Sequence, residues 1–269
     1  GMGCGLMASL VAAPLLMRLL LYKDGTFGAP SLKHILGGIY GFGWFIGTAM
    51  FGSLMVLPIL RLRYRTDPKR LQQRVNAYLR FSCLVLTKHF PYGRVDFIDM
   101  ERLDAPAVTI CNHQSPYDIL AALSLPGDQR MVVKSWVWRT PFMGRLVQAA
   151  GYLVVSEDKP ESLLERAQEH LKNGSSVVVF PEGTRAVTNR MRRFRKGAFE
   201  LAQRAGVPIQ PVVFCETRAN LPRSAYWIGE HHVIFKALPK VDVSNRPTRE
   251  LTRELRQQME AEYQRLLVD

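Results

Sequence analysis

The sequence predicts an α/β fold, a sheet covered by helices on its faces, preceded by N-terminal hydrophobic membrane helices. Three observations carry this. Beyond Tyr92-Gly93, short β-branched runs alternate with longer amphipathic stretches, the pattern of a sheet whose crossovers are helices. Ahead of that point, the apolar residues gather in long segments almost free of charge. A chain of 269 residues, 47% of them hydrophobic, supplies one ordinary core and an additional segment. The expected divisions are 1–65 for membrane-anchoring helices, 66–92 for an amphipathic interfacial helix, and 93–269 for the α/β domain.

Leu6 to Tyr22 is apolar except for Arg18 and is interrupted by Pro14. It is short for a span: either it crosses with Arg18 snorkelling, or it lies in one leaflet. Lys23 to His34 is a polar, Gly/Pro-containing connection. Ile35 to Leu60 carries no charge and is long enough to cross a hydrocarbon core of about 30 Å; a buried core helix is the competing reading. Gly43-x-x-x-Gly47 gives it a small-residue face against which another helix could pack, the first segment being the obvious partner. Arg61, Arg63, Arg65, Lys69 and Arg70 follow at once, so the positive-inside rule puts the rest of the chain in the cytoplasm. From Pro68 to Phe90, Leu71, Val75, Tyr78, Leu79 and Ser82 recur at helical spacing. That helix is read either as interfacial or as packed on the domain.

Strands are predicted at Val95–Ile98, Ala107–Cys111, Met131–Val133, Tyr152–Val155, Ser176–Phe180, Ile209–Phe214 and His232–Phe235. Helices are predicted near Tyr117–Leu123, Pro141–Ala150, Pro160–Lys172, Lys196–Ala205 and Thr248–Leu267, the last after a polar linker at Asp242–Arg249.

A formal charge of +13 suits an anionic partner: nucleic acid, an acidic membrane surface or an acidic carrier protein. No nucleic-acid-binding motif accompanies it, so no nucleic-acid partner is expected. Cys4, Cys83, Cys111 and Cys215 are scattered and read as free thiols. No cluster has zinc-ligand spacing, and His231-His232 in a strand would point to opposite faces, so neither metal nor cofactor is expected.

Two stretches suggest chemistry. The strand ending at Cys111 runs into Asn112-His113-Gln114-Ser115-Pro116-Tyr117-Asp118. A carboxylate five residues after a histidine can fix the imidazole tautomer and stabilise the imidazolium once a proton is taken. Alone, the pattern equally describes a turn histidine held by an aspartate. Val177–Phe180 runs into Pro181-Glu182-Gly183-Thr184-Arg185, where glycine permits close backbone approach and arginine offers a planar fork for phosphate. Arg190, Arg192, Arg193, Arg195 and Lys196 then form a dense basic run, read either as a solvated face or as a contact for headgroups or an anionic donor. Ser115 lies near His113 without a G-x-S-x-G elbow, which leaves a serine hydrolase poorly supported.

Taken together and in this order, Asn112-His113-x4-Asp118 and Phe180-Pro181-Glu182-Gly183-Thr184-Arg185 resemble the glycerolipid acyltransferase family, whose best-known members are the 1-acylglycerol-3-phosphate acyltransferases. The resemblance runs from roughly Pro91 to Phe235, and Val207-Pro208-Ile209-Gln210-Pro211-Val212 resembles the block that closes the family pattern. It implies a membrane-bound O-acyltransferase, with His113 as base and Asp118 orienting it. The resemblance then gives Glu182, Gly183 and Arg185 the acceptor and its phosphate; beside them Thr184 offers a hydroxyl, Asn112 is a supporting candidate, and Lys134 and Arg139 are read either as supplementary positive charge or as surface cations. The implied reaction moves an acyl chain from acyl-CoA or acyl carrier protein to 1-acylglycerol-3-phosphate, giving phosphatidic acid for phospholipid biosynthesis. The implied partners are a lysophospholipid acceptor, an acyl thioester donor and an anionic membrane, at the cytoplasmic face of a bacterial inner membrane. The chain departs from the family in one block: Gly151–Glu157 holds Glu157, or Ser156 if the register slips, where many members have a phosphate-binding arginine. Two alternatives therefore stay open, transfer to another lysophospholipid, aminolipid or hydroxyl, and a non-catalytic membrane adaptor.

Overall fold

The computed structural model describes residues 31–90, 93–155, 160–222, 225 and 227–268. In chain order the elements are α1 (Leu32–Arg63), α2 (Pro68–His89), β1 (Val95–Ile98), β2 (Val108–Cys111), α3 (Tyr117–Ser124), β3 (Gln129–Lys134), α4 (Ser135–Arg139), α5 (Met143–Ala149), β4 (Leu153–Val155), α6 (Pro160–Lys172), β5 (Ser176–Val179), α7 (Gly197–Ala205), β6 (Ile209–Cys215), α8 (Thr217–Asn220), β7 (Val233–Ala237) and α9 (Thr248–Val268). The strands form one seven-stranded sheet in the order β1-β7-β6-β2-β5-β3-β4. All pairings are parallel except β6 with β7. The seven β-branched runs thus all become strands, in a mixed sheet.

Period-two alternation splits the core. Cys111, Val212 and Phe214 point to one face, where they meet α2, α3 and α5; Val108, Ile110, Ile209 and Val213 point to the other, against α6, α7 and α9. Strand β2 lies at the centre, buried along its whole length. Because β2 and β5 are parallel neighbours, the loops leaving their C-terminal ends emerge side by side at one sheet edge, where open α/β sheets carry their ligands.

Helix α2 is a packing element on its inner face. Val75, Leu79, Cys83 and Leu86 are buried, and Asn76 reaches Asp128 (2.9 Å) while accepting from Tyr152 Oη (2.8 Å). Asp128 also pairs with the buried Arg130 (2.8 Å), so a chain of polar contacts fastens α2 to the β3–β4 edge. Helix α1 lies against α2: Trp44 Nε1 donates to the Ser82 carbonyl (3.0 Å) and Tyr78 Oη to that of Thr48 (2.7 Å). Gly52 is required at this crossing, because a Cβ there would enter the Tyr78 ring. The helix widens to a π-turn over Gly52–Val56, immediately before Pro58, whose missing N–H cannot continue the ladder.

Helix α1 is long and apolar enough to cross a membrane, the one such helix among the described residues. Ile39, Ile46, Phe51, Leu54, Met55 and Ile59 stand exposed on it, and nothing lies within 4 Å of a Cβ built on Gly43 or Gly47. The segment Leu6–Tyr22, read as the partner for that face, lies outside the described residues, as does Glu157.

Candidate active site

The buried strand β2 delivers a polar corner. Asn112 ends it, with Nδ2 donating to the Phe214 carbonyl and Oδ1 accepting from the Phe214 N–H, both at 2.8 Å. It therefore prolongs the β2–β6 pairing with a side chain and fixes where the next residue starts. His113 Nδ1 lies 2.9 Å from Asp118 Oδ2, and its ring stacks on Phe180 with centroids 4.4 Å apart. Asp118 sits fully buried in the first turn of α3, where the helix dipole favours a negative charge. Its Oδ2 also accepts the Gln114 and Ser115 N–H groups, whereas Oδ1 has no partner. One oxygen thus organises the whole turn, and the imidazole is left with Nε2 as its available nitrogen. The ring's side chain is 16% exposed, enough for a substrate atom to reach it.

Ser115 is committed elsewhere: its Oγ donates to the Leu221 carbonyl (2.6 Å) and accepts from the Tyr117 N–H (3.0 Å). Burial pushes the Cys111 thiol well up, and the Asp118 charge adds to this, so Cys111 stays a protonated core residue beside the histidine.

The second motif closes over the first. The Ala186 N–H donates to the His113 carbonyl (2.7 Å). Gly183 makes the turn at φ +70°, with its N–H on the Phe180 carbonyl (3.0 Å). Glu182 is buried, and both of its oxygens hold backbone: Oε1 accepts from the His113 N–H (2.7 Å) and Oε2 from the Arg192 N–H (2.8 Å). Burial pushes its carboxyl up to about 7, against the opposing pull of those two donors. The geometry makes Glu182 a clamp between the histidine loop and the basic run. Sequence reasoning grouped it with the acceptor-binding residues and had no means of seeing a clamp, since backbone N–H partners carry no signature.

Within the basic run, Met191 and Phe194 are buried in the core while Arg192, Arg193, Arg195 and Lys196 stand exposed. Apolar anchors three residues apart thus pin the loop and turn its cations outward. Glu182, Thr184, Arg192, Arg193 and Arg195 line an open cleft beside the histidine corner. Arg185 is half-buried at the end of the turn. Lys134 and Arg139 are exposed at the end of β3 and on α4, and neither lines this cleft. No group of metal-ligating side chains occurs among the described residues.

Residues 94–215, which hold both motifs, match the family model described as Acyltransferase. The chain carries an acyltransferase-family domain. Its relatives include the chloroplastic 1-acyl-sn-glycerol-3-phosphate acyltransferase BAT2 of Brassica napus, 34% identical over 148 residues, which is 53% of this chain and 43% of that protein. The 1-acyl-sn-glycerol-3-phosphate acyltransferase of Escherichia coli (strain K12) is 35% identical over 146 residues, 51% of this chain and 58% of that one. The chain thus spans about half the length of the curated relatives it matches. The acyltransferase domain with its helical N-terminal part shares its fold with the crystal structure of the Thermotoga maritima 1-acyl-sn-glycerophosphate acyltransferase PlsC. The TM-score is 0.71, at 21% identity, over 88% of this chain and 98% of that one.

Proposed function

We propose that the protein transfers an acyl chain from a thioester to the free hydroxyl of 1-acylglycerol-3-phosphate, giving phosphatidic acid. The observation that carries this is the His113–Asp118 pair, with one ring nitrogen available, opening beside a cleft rich in arginine. His113 Nε2 takes the hydroxyl proton as the oxygen attacks the thioester carbonyl, and Asp118 stabilises the imidazolium. The tetrahedral intermediate collapses, the C–S bond breaks, and the imidazolium returns the proton to the leaving thiolate. A thioester is already activated, so no acyl-enzyme is needed; Ser115 and Cys111, the adjacent nucleophile types, are both held out of use by their hydrogen bonds and burial.

Arg192, Arg193 and Arg195 around Thr184 supply cations for the acceptor phosphate, which offsets a glutamate at position 157. The exposed apolar side chains of α1 fit a helix seated in the bilayer, next to which a lysolipid and its product partition. The arginines that end α1 favour the cytoplasmic side. The donor is acyl-CoA or acyl carrier protein.

The test is thioester consumption by detergent-purified protein with lysophosphatidic acid and with lysophospholipids lacking a phosphate monoester, beside His113→Ala. The expected result is turnover with lysophosphatidic acid that falls by about 10²–10⁴-fold in the variant. Turnover restricted to acceptors without the monoester would move the substrate, and turnover indifferent to His113→Ala would remove the mechanism.

A further inference from the structure

The C-terminal helix carries a feature that acyl transfer at His113 does not use. Arg249, Arg253 and Arg256 are spaced i, i+4 and i+7, which puts them on one face of α9 along about 10 Å of axis. With Arg193, Phe194 and Lys196 they line a second cleft, in which Glu250 is the one carboxylate. Arg193, Phe194 and Lys196 are also walls of the cleft over Glu182 and Thr184, so the two are continuous.

This composite is held rigidly. The basic loop is fastened to α9 by the Met191 N–H on Glu260 (2.6 Å), Arg256 Nη1 on the Met191 carbonyl (3.1 Å) and Gln264 Nε2 on the Asn189 carbonyl (2.7 Å). At its other end the same loop is fastened to the active site by the Arg192 N–H on Glu182 and the Arg195 N–H on the Pro181 carbonyl, both at 2.8 Å. The loop is a strap that sets the α9 surface in fixed register with His113. Arg193, Lys196, Arg249 and Arg253 form no salt bridge among the described residues, although four exposed cations so close together repel one another. An external anion is the natural complement.

We infer that this arginine track on α9 and the strap is the docking surface for an acidic carrier protein that presents the acyl thioester; the inference rests on the acyl-transfer reading above and names its donor. Charges spaced one helical turn apart suit carboxylates on a facing helix. Nucleotide phosphates lie within a few ångströms of one another and call for converging donors such as backbone N–H nests, which this open stripe lacks. The bilayer fits less well than a soluble partner, because α9 covers the sheet face opposite to the one carrying α2 and the apolar α1.

The experiment uses the full chain in detergent and the double variant Arg249→Glu/Arg253→Glu, both exposed positions outside the His113 corner. Fluorescently labelled acyl carrier protein is titrated by anisotropy, and KM is measured with palmitoyl-loaded carrier protein and with palmitoyl-CoA. The expected result is carrier-protein binding weakened about tenfold or more, with the weakening shrinking as salt rises. KM for the carrier-protein donor should rise similarly at unchanged kcat, while KM for palmitoyl-CoA stays within about twofold. An equal rise for palmitoyl-CoA would assign the track to nucleotide phosphates. Loss of anionic-vesicle binding with both KM values unchanged would assign it to the bilayer, and no change in any readout would leave it without a partner; each of the three overturns the inference. Binding is read without turnover, so a protein that binds the carrier yet transfers no acyl chain would fail the reaction and not the docking surface. Should the charge reversal unfold the protein, Arg249→Gln/Arg253→Gln keeps the same comparison at smaller amplitude.

Discussion

The corner at the end of β2 and the helix α1 are built on opposite terms. In the corner, short polar side chains are buried and take defined partners: Asp118 Oδ2 holds His113 and two backbone N–H groups, and each Glu182 oxygen holds one more. In α1, Ile46, Phe51, Leu54 and Ile59 lie exposed, and a large part of what the helix offers is apolar area. The corner works by distance and tolerates little change. On the membrane-seated reading, the exposed face of the helix works by area, roughly 25 cal/mol per Å² removed from water, and there tolerates any residue of the same character. A change of charge should therefore disable chemistry in the one and location in the other.

The largest effect should come from Asp118→Asn. One oxygen of Asp118 receives all three hydrogen bonds and the other none, so an amide can keep every bond; it removes the charge and exchanges an unpartnered buried oxygen for an unpartnered NH2. The expected outcome is a fall in kcat of about 10²–10⁴-fold with little change in melting temperature. A matching collapse in stability would mean that the carboxylate is chiefly scaffolding, and the contrast with α1 would narrow.

Next comes Ile46→Asp with Leu54→Asp on α1, both exposed and nearer its middle. A charge at the centre of a membrane-seated helix costs about 2.5–3.5 kcal/mol, so vesicle flotation should show membrane binding reduced well over tenfold. Turnover of detergent-dispersed acceptor should stay within about twofold. An equal loss in detergent would show that α1 helps bind the acceptor and does more than hold the protein at the bilayer.

Glu182 ties stability to pH. Its folded-state value is raised from 4.5 to about 7, so the folded protein holds a proton there that the unfolded chain releases. Through this group, unfolding free energy falls as pH rises from about 4.5 to about 7 and is flat above, by at most about 3 kcal/mol. Urea midpoints across that window should show the fall in wild type and lack it in Glu182→Gln. That variant should also lose stability at low pH, because one of two backbone donors then faces an amide N–H.

The two regions were legible in the sequence for different reasons. Strands such as Val108–Cys111 and Ser176–Val179 announce themselves by β-branched runs, and α1 by the lack of charge from Ile35 to Leu60. Both motifs show as fixed spacings at strand ends. The short helices Ser135–Arg139 and Thr217–Asn220 offer no period to read. Nor does sequence reveal that Glu182 grips the backbone of Arg192, or that Glu260 and Gln264 tie the strap down from about 70 residues away. Those links join elements that only the sheet order brings together. The helix at Thr248–Leu267 is legible as a helix, but the stripe its arginines form acquires meaning only beside Arg193 and Lys196.

The smallest effect separates the clamp from the cleft. Gly183 sits at φ +70°, where an L side chain costs about 1–2 kcal/mol, and a Cβ there would stand 2.8 Å from Arg195 Nε. Arg195 can respond with its side chain alone, since its N–H stays on the Pro181 carbonyl. Gly183→Ala should therefore lower the melting temperature by about 2–8 °C for a domain of this size. The displaced guanidinium should raise KM for lysophosphatidic acid several-fold, while kcat holds because His113 and Asp118 do not move. If kcat instead fell more than KM rose, the turn would be transmitting its strain through Glu182 to the histidine loop. Clamp and cleft would then be one device, and the corner would be less tolerant still than its hydrogen bonds suggest.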